Sequence, residues 1–441
     1  MMNSTGKPKV SVVVAVYNSG QFIRQTLDSI LAQTLKDTEI ILVDDGSKDD
    51  SPDILNEYAK ADARIRVLVN TEESDGAASA RNLGVANANG EYLSILDSDD
   101  FFEPDMLDKA YNRAKETSAD VVIFDGYRYD DRNGVDLERN SILVRDRLPE
   151  GRDVFAPEDN AENLFMMTLG AAWPALFSKE HIDRYNLRFK SFHHADDLEF
   201  VYMSFALAHT IAVLRDRLVH YRVNVEGSQA SMISRWPETA WSAMLSLKKS
   251  LTEHGIYERY KTAFVRKAMH YISFYMDNMN TGESFGKLYR ALQGGKLAEL
   301  DLSDAGRDEI DDDALAARRD LIMNASAEEY LLRQLKKEPP FDISVAWKKG
   351  IPSGSRLILY GADRMGVSVL NAILWDQDYK VIAWVDPQYE ALGYPVVSPE
   401  VISNSDYDLI LVTNISELVF EKVKKELAGK GTDIAKIRWI R

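Results

Sequence analysis

The feature that most limits what this chain can fold into is a series of short apolar runs alternating with stretches of helical periodicity, from Val10 to Phe124. Val10 to Tyr17 is a continuous, largely β-branched run, which suits a strand buried on both faces of a parallel sheet. Phe22, Ile23, Leu27, Ile30 and Leu31 then recur at helical spacing, and Glu39 to Val43 closes on Asp44-Asp45-Gly46-Ser47. Three further helix and strand pairs follow. Ile54, Leu55 and Tyr58 precede the strand Ile65 to Val69, Ala77 to Ala86 precedes Tyr92 to Leu96, and a helix after Pro104 precedes Val121 to Phe124. Strands alternating with helices predict a mostly parallel α/β sheet with flanking helices. In such sheets ligands bind beyond the carboxyl ends of the strands. Tyr17-Asn18, Asp44-Asp45 and Asp97-Ser98-Asp99 all fall there.

The strand end at Asp97 carries the clearest chemistry. In extended geometry residues two apart point to the same side, so Asp97 and Asp99 project together and Ser98 turns away. Paired hard oxygen ligands suit Mg2+ or Mn2+, with the remaining coordination left to water and substrate phosphates. Composition removes other chemistries. The 53 basic and 70 acidic residues give a net charge of −17, which argues against a nucleic-acid partner, and with no cysteine there is no thiolate nucleophile, disulfide or cysteine zinc site. Met1 to Lys9 is short and polar, and no apolar run approaches the roughly 20 residues of a membrane span. The expectation is a cytoplasmic protein, with the inner face of the membrane as its other setting.

Three motifs occur in fixed order: Val12-Val13-Val14-Ala15-Val16-Tyr17-Asn18, then Val43-Asp44-Asp45-Gly46-Ser47, then Gly76 to Gly84 leading into Leu96-Asp97-Ser98-Asp99-Asp100. The set resembles glycosyltransferase family 2, whose members have the GT-A fold, use a nucleotide-diphosphate sugar with a divalent metal, and mostly invert the anomeric centre. One departure is Ala15, where many members have proline. The resemblance implies that Tyr17 and Asp44 or Asp45 meet the nucleoside, and that Arg81 meets the base or the donor. It places Asp97 near the ribose or metal-bound water and makes Asp99 the direct metal ligand.

A looser likeness continues through Ala172-Trp173-Pro174 and Phe192 to Phe200. There it makes Asp197 the candidate general base, with Asp196, Trp173 and His194 on the acceptor side. Adjacent carboxylates resist joint ionisation, which suits a base with a raised pKa. His220-Tyr221-Arg222 ends another apolar strand; His220 is a candidate third metal ligand and Arg222 a candidate diphosphate contact, followed by Ser228. The implied partners are a nucleotide-sugar donor, probed first as a UDP-sugar, and a glycan or lipid-linked acceptor of surface polysaccharide synthesis. Nothing in the sequence states an oligomeric order.

Residues 1–230 are expected to form the GT-A domain, 231–350 a helical region and linker, and 351–441 a small Rossmann-like domain. The helical stretch carries an aromatic stripe, Phe264, Tyr271 and Tyr275, read as core, as an acceptor contact or as a peripheral membrane surface. The last part has a strand Arg356 to Tyr360, a loop Gly361 to Gly366, a helix to Trp375 and a strand Lys380 to Val385 ending at Asp386. Asp386 is placed to bond a ribose hydroxyl, but Asp363 stands where a bound phosphate needs bare backbone. Two competing readings follow: an NAD-dependent oxidoreductase built on this domain, and a donor-binding scaffold with a degenerate transferase site.

Overall fold

The structure, a computed structural model, describes residues 6–71, 76–131, 134–137, 141–223, 233–279, 282–327, 330, 351–362, 364–376, 379–389, 396–413 and 417–440. Ser228 and Asp363 lie outside them. The described residues form two compact units, 1–275 with 295–316, and 276–294 with 317–441, so the helices expected between 231 and 350 are distributed over both. Among the described residues no helix is long and apolar enough to cross a membrane.

The first unit is built on one sheet. Its strands are β1 (Val10–Val16), β2 (Thr38–Asp44), β3 (Ile65–Val69), β4 (Tyr92–Asp97), β5 (Phe101–Phe102), β6 (Val121–Asp130), β7 (Val135–Leu137), β8 (Val154–Phe155), β9 (Ala175–Ser178) and β10 (Ile211–Val223). The order is β3-β2-β1-β4-β9-β6-β10-β5, with β7 on β6 and β8 on β10. Pairs among β1 to β4 are parallel, β9 runs antiparallel between β4 and β6, and β6 and β10 are again parallel. This is the expected mostly parallel sheet. The order turns back at β1 and β4, so the chain leaves these neighbours in opposite directions and opens a crevice at their carboxyl ends.

Helices cover both faces for a reason visible in β1. Val10, Val12, Val14 and Val16 join one apolar cluster with Ile23, Leu27 and Ile30 of α1 (Ile23–Leu31), Ile54 and Leu55 of α2 (Ser51–Ala61), and Met106 and Ala110 from the helix Met106–Thr117. Val13 faces the other way, onto α3 (Ala78–Asn87), as period-two alternation requires. There Gly84 lets the helix lie flush on the sheet: a Cβ at this position would meet Val13 Cγ1 at 2.3 Å and Val43 Cγ2 at 3.3 Å. The glycine of the third motif is thus a packing requirement that sets the height of α3, and with it the reach of Arg81.

The second unit contains a five-stranded, wholly parallel sheet of β11 (Arg356–Tyr360), β12 (Lys380–Val385), β13 (Val396–Val397), β14 (Leu409–Thr413) and β15 (Ile437–Ile440), ordered β13-β12-β11-β14-β15. Apolar clusters fill both of its faces. This doubly wound order is the Rossmann-like arrangement expected for the last part of the chain. Gly361 turns at φ 113°, and a Cβ at Gly366 would meet the Gly361 carbonyl oxygen at 2.1 Å, so both glycines are required by the turn. Asp386, read above as a ribose ligand, accepts instead from Ala362 N–H at 2.9 Å and Gln388 N–H at 2.8 Å, and so holds the turn itself.

The packing of α3 gives a first prediction. Gly84→Ala should destabilise the protein by about 1–3 kcal/mol, because Val13 sits in the sheet and cannot move aside without disturbing its neighbours. Urea denaturation followed by circular dichroism measures this, and an unchanged midpoint would count against it.

Candidate active site

The rim of the crevice is set by register. Ala15 pairs with Asp97 and Val16 with Asp44, so the loops after β1, β2 and β4 emerge side by side. They are then bonded together. Asn18, in the left-handed region at φ 47°, donates its N–H to Ser47 Oγ at 3.0 Å and accepts from Lys48 N–H at 2.7 Å. Ser19 Oγ and Ser98 Oγ lie 2.6 Å apart, and Asn70 Nδ2 donates to Asp45 Oδ1 at 2.6 Å. Asp44 is buried and accepts from Ser47 N–H at 3.2 Å. Tyr17 is the exception, with 59% of its surface exposed at the mouth. An exposed aromatic beside fixed acceptors can cover a nucleobase and bond its N–H groups.

Arg81 is the hub. It projects from α3 and is buried; Nη1 donates to Asp196 Oδ2 and Nη2 to Asp97 Oδ1, each at 2.6 Å, and its guanidinium lies 5.5 Å from the Phe189 ring centroid. It therefore joins the end of β4 to the turn that carries Asp196 and Asp197. That turn is closely held. Ala195 takes a left-handed φ of 63°, and a Cβ at Gly76 would meet the Phe192 carbonyl oxygen at 2.4 Å. The strain at Ala195, of order 1–2 kcal/mol, is tolerated because the surroundings fix it.

Carboxylates crowd the end of β4. Burial, then the charge of Asp97, pushes the Asp99 carboxyl up to about 6. Burial and the charges of Asp99 and Asp97 push Asp100 well above the usual range. Asp100 Oδ1 accepts from Arg222 N–H at 2.8 Å, whereas its buried Oδ2 has no partner among the described residues. Clustered oxygen donors that raise one another's pKa are the donor set a hard divalent ion relieves, so the residues fit Mn2+ or Mg2+. Among the described residues no group of three or more such side chains could hold a metal alone.

His220 and Arg222 are placed differently from the expectation. Both ring nitrogens of His220 are engaged, Nδ1 with Asp136 Oδ1 and Nε2 with Glu103 Oε1, each at 2.8 Å, and the ring is stacked between Phe101 and Tyr127. Arg222 donates to the Asp99 carbonyl at 2.7 Å, to Gln25 Oε1 at 2.6 Å and to Asp131, and lies over the Phe22 and Tyr129 rings. Both residues buttress the acidic turn from behind. Their partners are distant in sequence, and no local pattern announces them.

Asp197 precedes the helix Leu198–Ala206 and accepts from Ala172 N–H at 3.2 Å through Oδ2. Burial, then the Asp196 charge, pushes its carboxyl up to about 7. Asp196 is also shifted up, since burial outweighs its Arg81 partner. Asp197 can thus exchange a proton near neutrality, as a general base must. Trp173 is buried and stacked on Tyr221 with centroids 5.0 Å apart. His194 Nδ1 lies 2.8 Å from Tyr275 Oη, and burial lowers its pKa to about 4, so it is neutral at physiological pH.

Parts of the chain are similar to known proteins. Residues 11–169 match Glycosyl transferase family 2, and residues 353–438 match C2185-like, N-terminal. Glycosyltransferase GlyG of Streptococcus pneumoniae is 45% identical over 125 residues, which is 28% of this chain and 41% of that protein. A cholesterol galactosyltransferase of Borreliella burgdorferi is 29% identical over 315 residues, 67% of this chain and 83% of that one. The chain thus spans under half the length of the first relative and most of the second. Among solved structures, the mannosyltransferase PcManGT from Pyrobaculum calidifontis, in complex with GDP-Man and Mn2+, aligns at TM-score 0.46 and 18% identity, over 75% of this chain and 88% of its own. The chain carries a glycosyltransferase family 2 domain.

Removing Arg81 should leave Asp97 and Asp196 as unpaired, largely buried carboxylates. Arg81→Met is expected to cost about 3–5 kcal/mol of stability, the range for breaking one side of a buried pair. A denaturation midpoint close to that of the unmodified protein would rule out the hub role.

Proposed function

We propose that this chain, carrying a family 2 glycosyltransferase domain, transfers a sugar from a nucleotide-diphosphate donor to an acceptor hydroxyl with inversion at the anomeric carbon. The observation that carries the reading is the chain of contacts Asp97–Arg81–Asp196, which fixes the Asp197 turn beside the strand ends that would seat a donor, while burial and the Asp196 charge push the Asp197 carboxyl up to about 7. Asp197 removes the proton of the acceptor hydroxyl as its oxygen forms a bond to the anomeric carbon. The bond from that carbon to the diphosphate oxygen breaks, and the electron pair leaves with the nucleoside diphosphate. A single displacement inverts the centre.

Tyr17, Asp44 and Asp45 are assigned to the nucleoside, UDP being the first donor nucleotide to test. A divalent cation at Asp97 and Asp99 supplies neutralisation of the diphosphate charge. Asp197, Asp196, Trp173 and His194 belong to the acceptor side, and a glycan or lipid-linked hydroxyl is the acceptor class we propose. A relative named for transfer to cholesterol supports a hydroxyl on an apolar carrier. Peripheral attachment to a membrane's inner face is part of the same proposal. We assign residues 351–441 a docking or structural role, because Asp386 is engaged in the turn that a bound dinucleotide would use.

Three measurements test this. Titration calorimetry should find UDP binding at least tenfold tighter with Mn2+ than without divalent metal, and equal affinities would overturn the metal-linked donor site. Asp197→Asn should lower transfer by about 10²–10⁴-fold while UDP binding persists, since shape is kept and the base is lost. In the unmodified enzyme kcat should fall as pH drops through about 7, because protonation removes the base. A flat profile from pH 5 to 8, or near-native turnover by the variant, would exclude Asp197 from this role.

A further inference from the structure

A second wall faces the Asp197 turn. The helix Tyr257–Asn278 carries Lys267, Tyr271 and Tyr275 at i, i+4 and i+8, along one ridge. The ridge is bonded to the turn at one end and to the segment that begins at Thr168 at the other. Tyr275 Oη lies 2.8 Å from Nδ1 of His194, three residues before Asp197, and Tyr271 Oη donates to Tyr275 Oη at 3.4 Å. At the other end Lys267 Nζ donates to the Thr168 carbonyl at 3.2 Å. Thr168 begins the segment whose Ala172 N–H donates to Asp197 Oδ2. Tyr202 stands between them. Its ring centroid is 5.4 Å from Lys267 Nζ, and its buried hydroxyl has no partner among the described residues. Burial raises the pKa of both Tyr202 and Tyr271, and the charge of Asp197 adds to the rise in each, so both rings feel the proposed base.

Lys267 is the anomaly in this wall. The buried cations Arg81, Arg222 and Arg266 each pair with a carboxylate, at Asp196, Asp131 and Glu162. Among the described residues Lys267 pairs with none, and its only bonded partner there is a neutral carbonyl. Burial lowers its pKa to about 8, which still leaves most of it protonated at neutral pH. Lys267 is half-buried, and an ammonium in such a place with no carboxylate partner among the described residues is one that a ligand anion can engage. Gly170, at φ 88°, keeps the approach to Tyr202 narrow, since a Cβ there would meet Tyr202 Oη at 2.6 Å.

We propose that Lys267 binds an anionic group of the acceptor, a phosphoryl or carboxylate oxygen, and that Tyr271, Tyr275 and His194 form the wall along which that acceptor lies. The inference rests on Asp197 being the base, since that is what makes this side the acceptor side. It narrows the acceptor to one bearing negative charge near the reacting hydroxyl.

The test uses the full chain saturated with UDP and Mn2+, titrated with glucose, glucose 6-phosphate and glucuronate. Both anions should bind at least tenfold tighter than glucose, and the tighter of the two identifies phosphate or carboxylate as the natural group. Lys267→Gln and Lys267→Met should each erase the preference, and Lys267→Arg should keep it. Glucose 6-phosphate, and not glucose, should also slow acetylation of Lys267 in the unmodified chain at least fivefold, a readout that needs no variant to fold. Equal binding of the three ligands, no measurable binding of any, absence of protection, or a preference surviving in both neutral variants would each overturn the proposal. The two readings fail separately: turnover of Asp197→Asn speaks to the base, and these titrations, run without a sugar donor, speak to Lys267.

Discussion

One guanidinium organises the first unit. Arg81 is buried with a carboxylate on each side, Asp97 from the end of β4 and Asp196 from the turn before the helix Leu198–Ala206. Neither aspartate could stay in so enclosed a place unpaired. The arginine is in turn fixed by α3, whose distance from the sheet depends on Gly84. A packing constraint at a glycine thereby becomes a positional constraint on two carboxylates far apart in sequence, Asp97 and Asp196. The proposed donor side and the proposed acceptor side are coupled through this bridge, because a change in the charge of Asp97 alters the field at Asp197.

The second organising influence is crowding of like charges. Asp97, Asp99 and Asp100 repel one another, and only part of that repulsion is met by Arg222, whose main chain and side chain both bond to the turn. The aromatic sandwich around His220, with Glu103 and Asp136 on its two nitrogens, stiffens the strand from which Arg222 projects. The turn is held in shape by cations and rings behind it, while its carboxylates keep a charge excess. Such an arrangement suits the divalent ion proposed for this turn without closing a cage around it.

Much of this was legible in the sequence, and the boundary of legibility has a physical cause. The strands β1, β2 and β4 are parallel and buried, so their runs are largely apolar, and β2 and β4 end where acidic residues begin; β3, β11 and β12 have the bounds read from the sequence alone. β5, β8 and β13 are two residues each, and β9 is four, too short for periodicity to register. The same limit applies to the site. Tyr17, Asp44, Asp97 and Asp99 belong to motifs at strand ends, where the fold dictates that ligands bind. The engagement of His220 with Asp136 and Glu103, and of Arg222 with Gln25 and Asp131, depends on long-range register that no local pattern encodes. Lys267 passed unnoticed because one lysine among helical residues reads as an exposed charge until its neighbours, the Thr168 carbonyl and the Tyr202 ring, are known.

The two sheets show how one topology can be used in opposite ways. Each turns back on itself at its first strand, β1 beside β4 and β11 beside β14, and each places an acidic residue at the end of the second strand, Asp44 and Asp386. At Asp44 the carboxylate caps the loop of its own strand, which leaves the end of β1 and its exposed Tyr17 open to a ligand. At Asp386 it crosses to the first strand's loop and takes the Ala362 N–H, a main-chain donor that an anion at this turn would otherwise use. Trp384 Nε1 and Thr413 Oγ1 both donate to the Gly361 carbonyl, which fixes that loop further. These two main-chain groups of the turn are thus engaged within the chain, which supports the structural role proposed for this part. The difference between the two sheets therefore lies in which backbone groups the second-strand aspartate consumes, and the topology they share does not decide it.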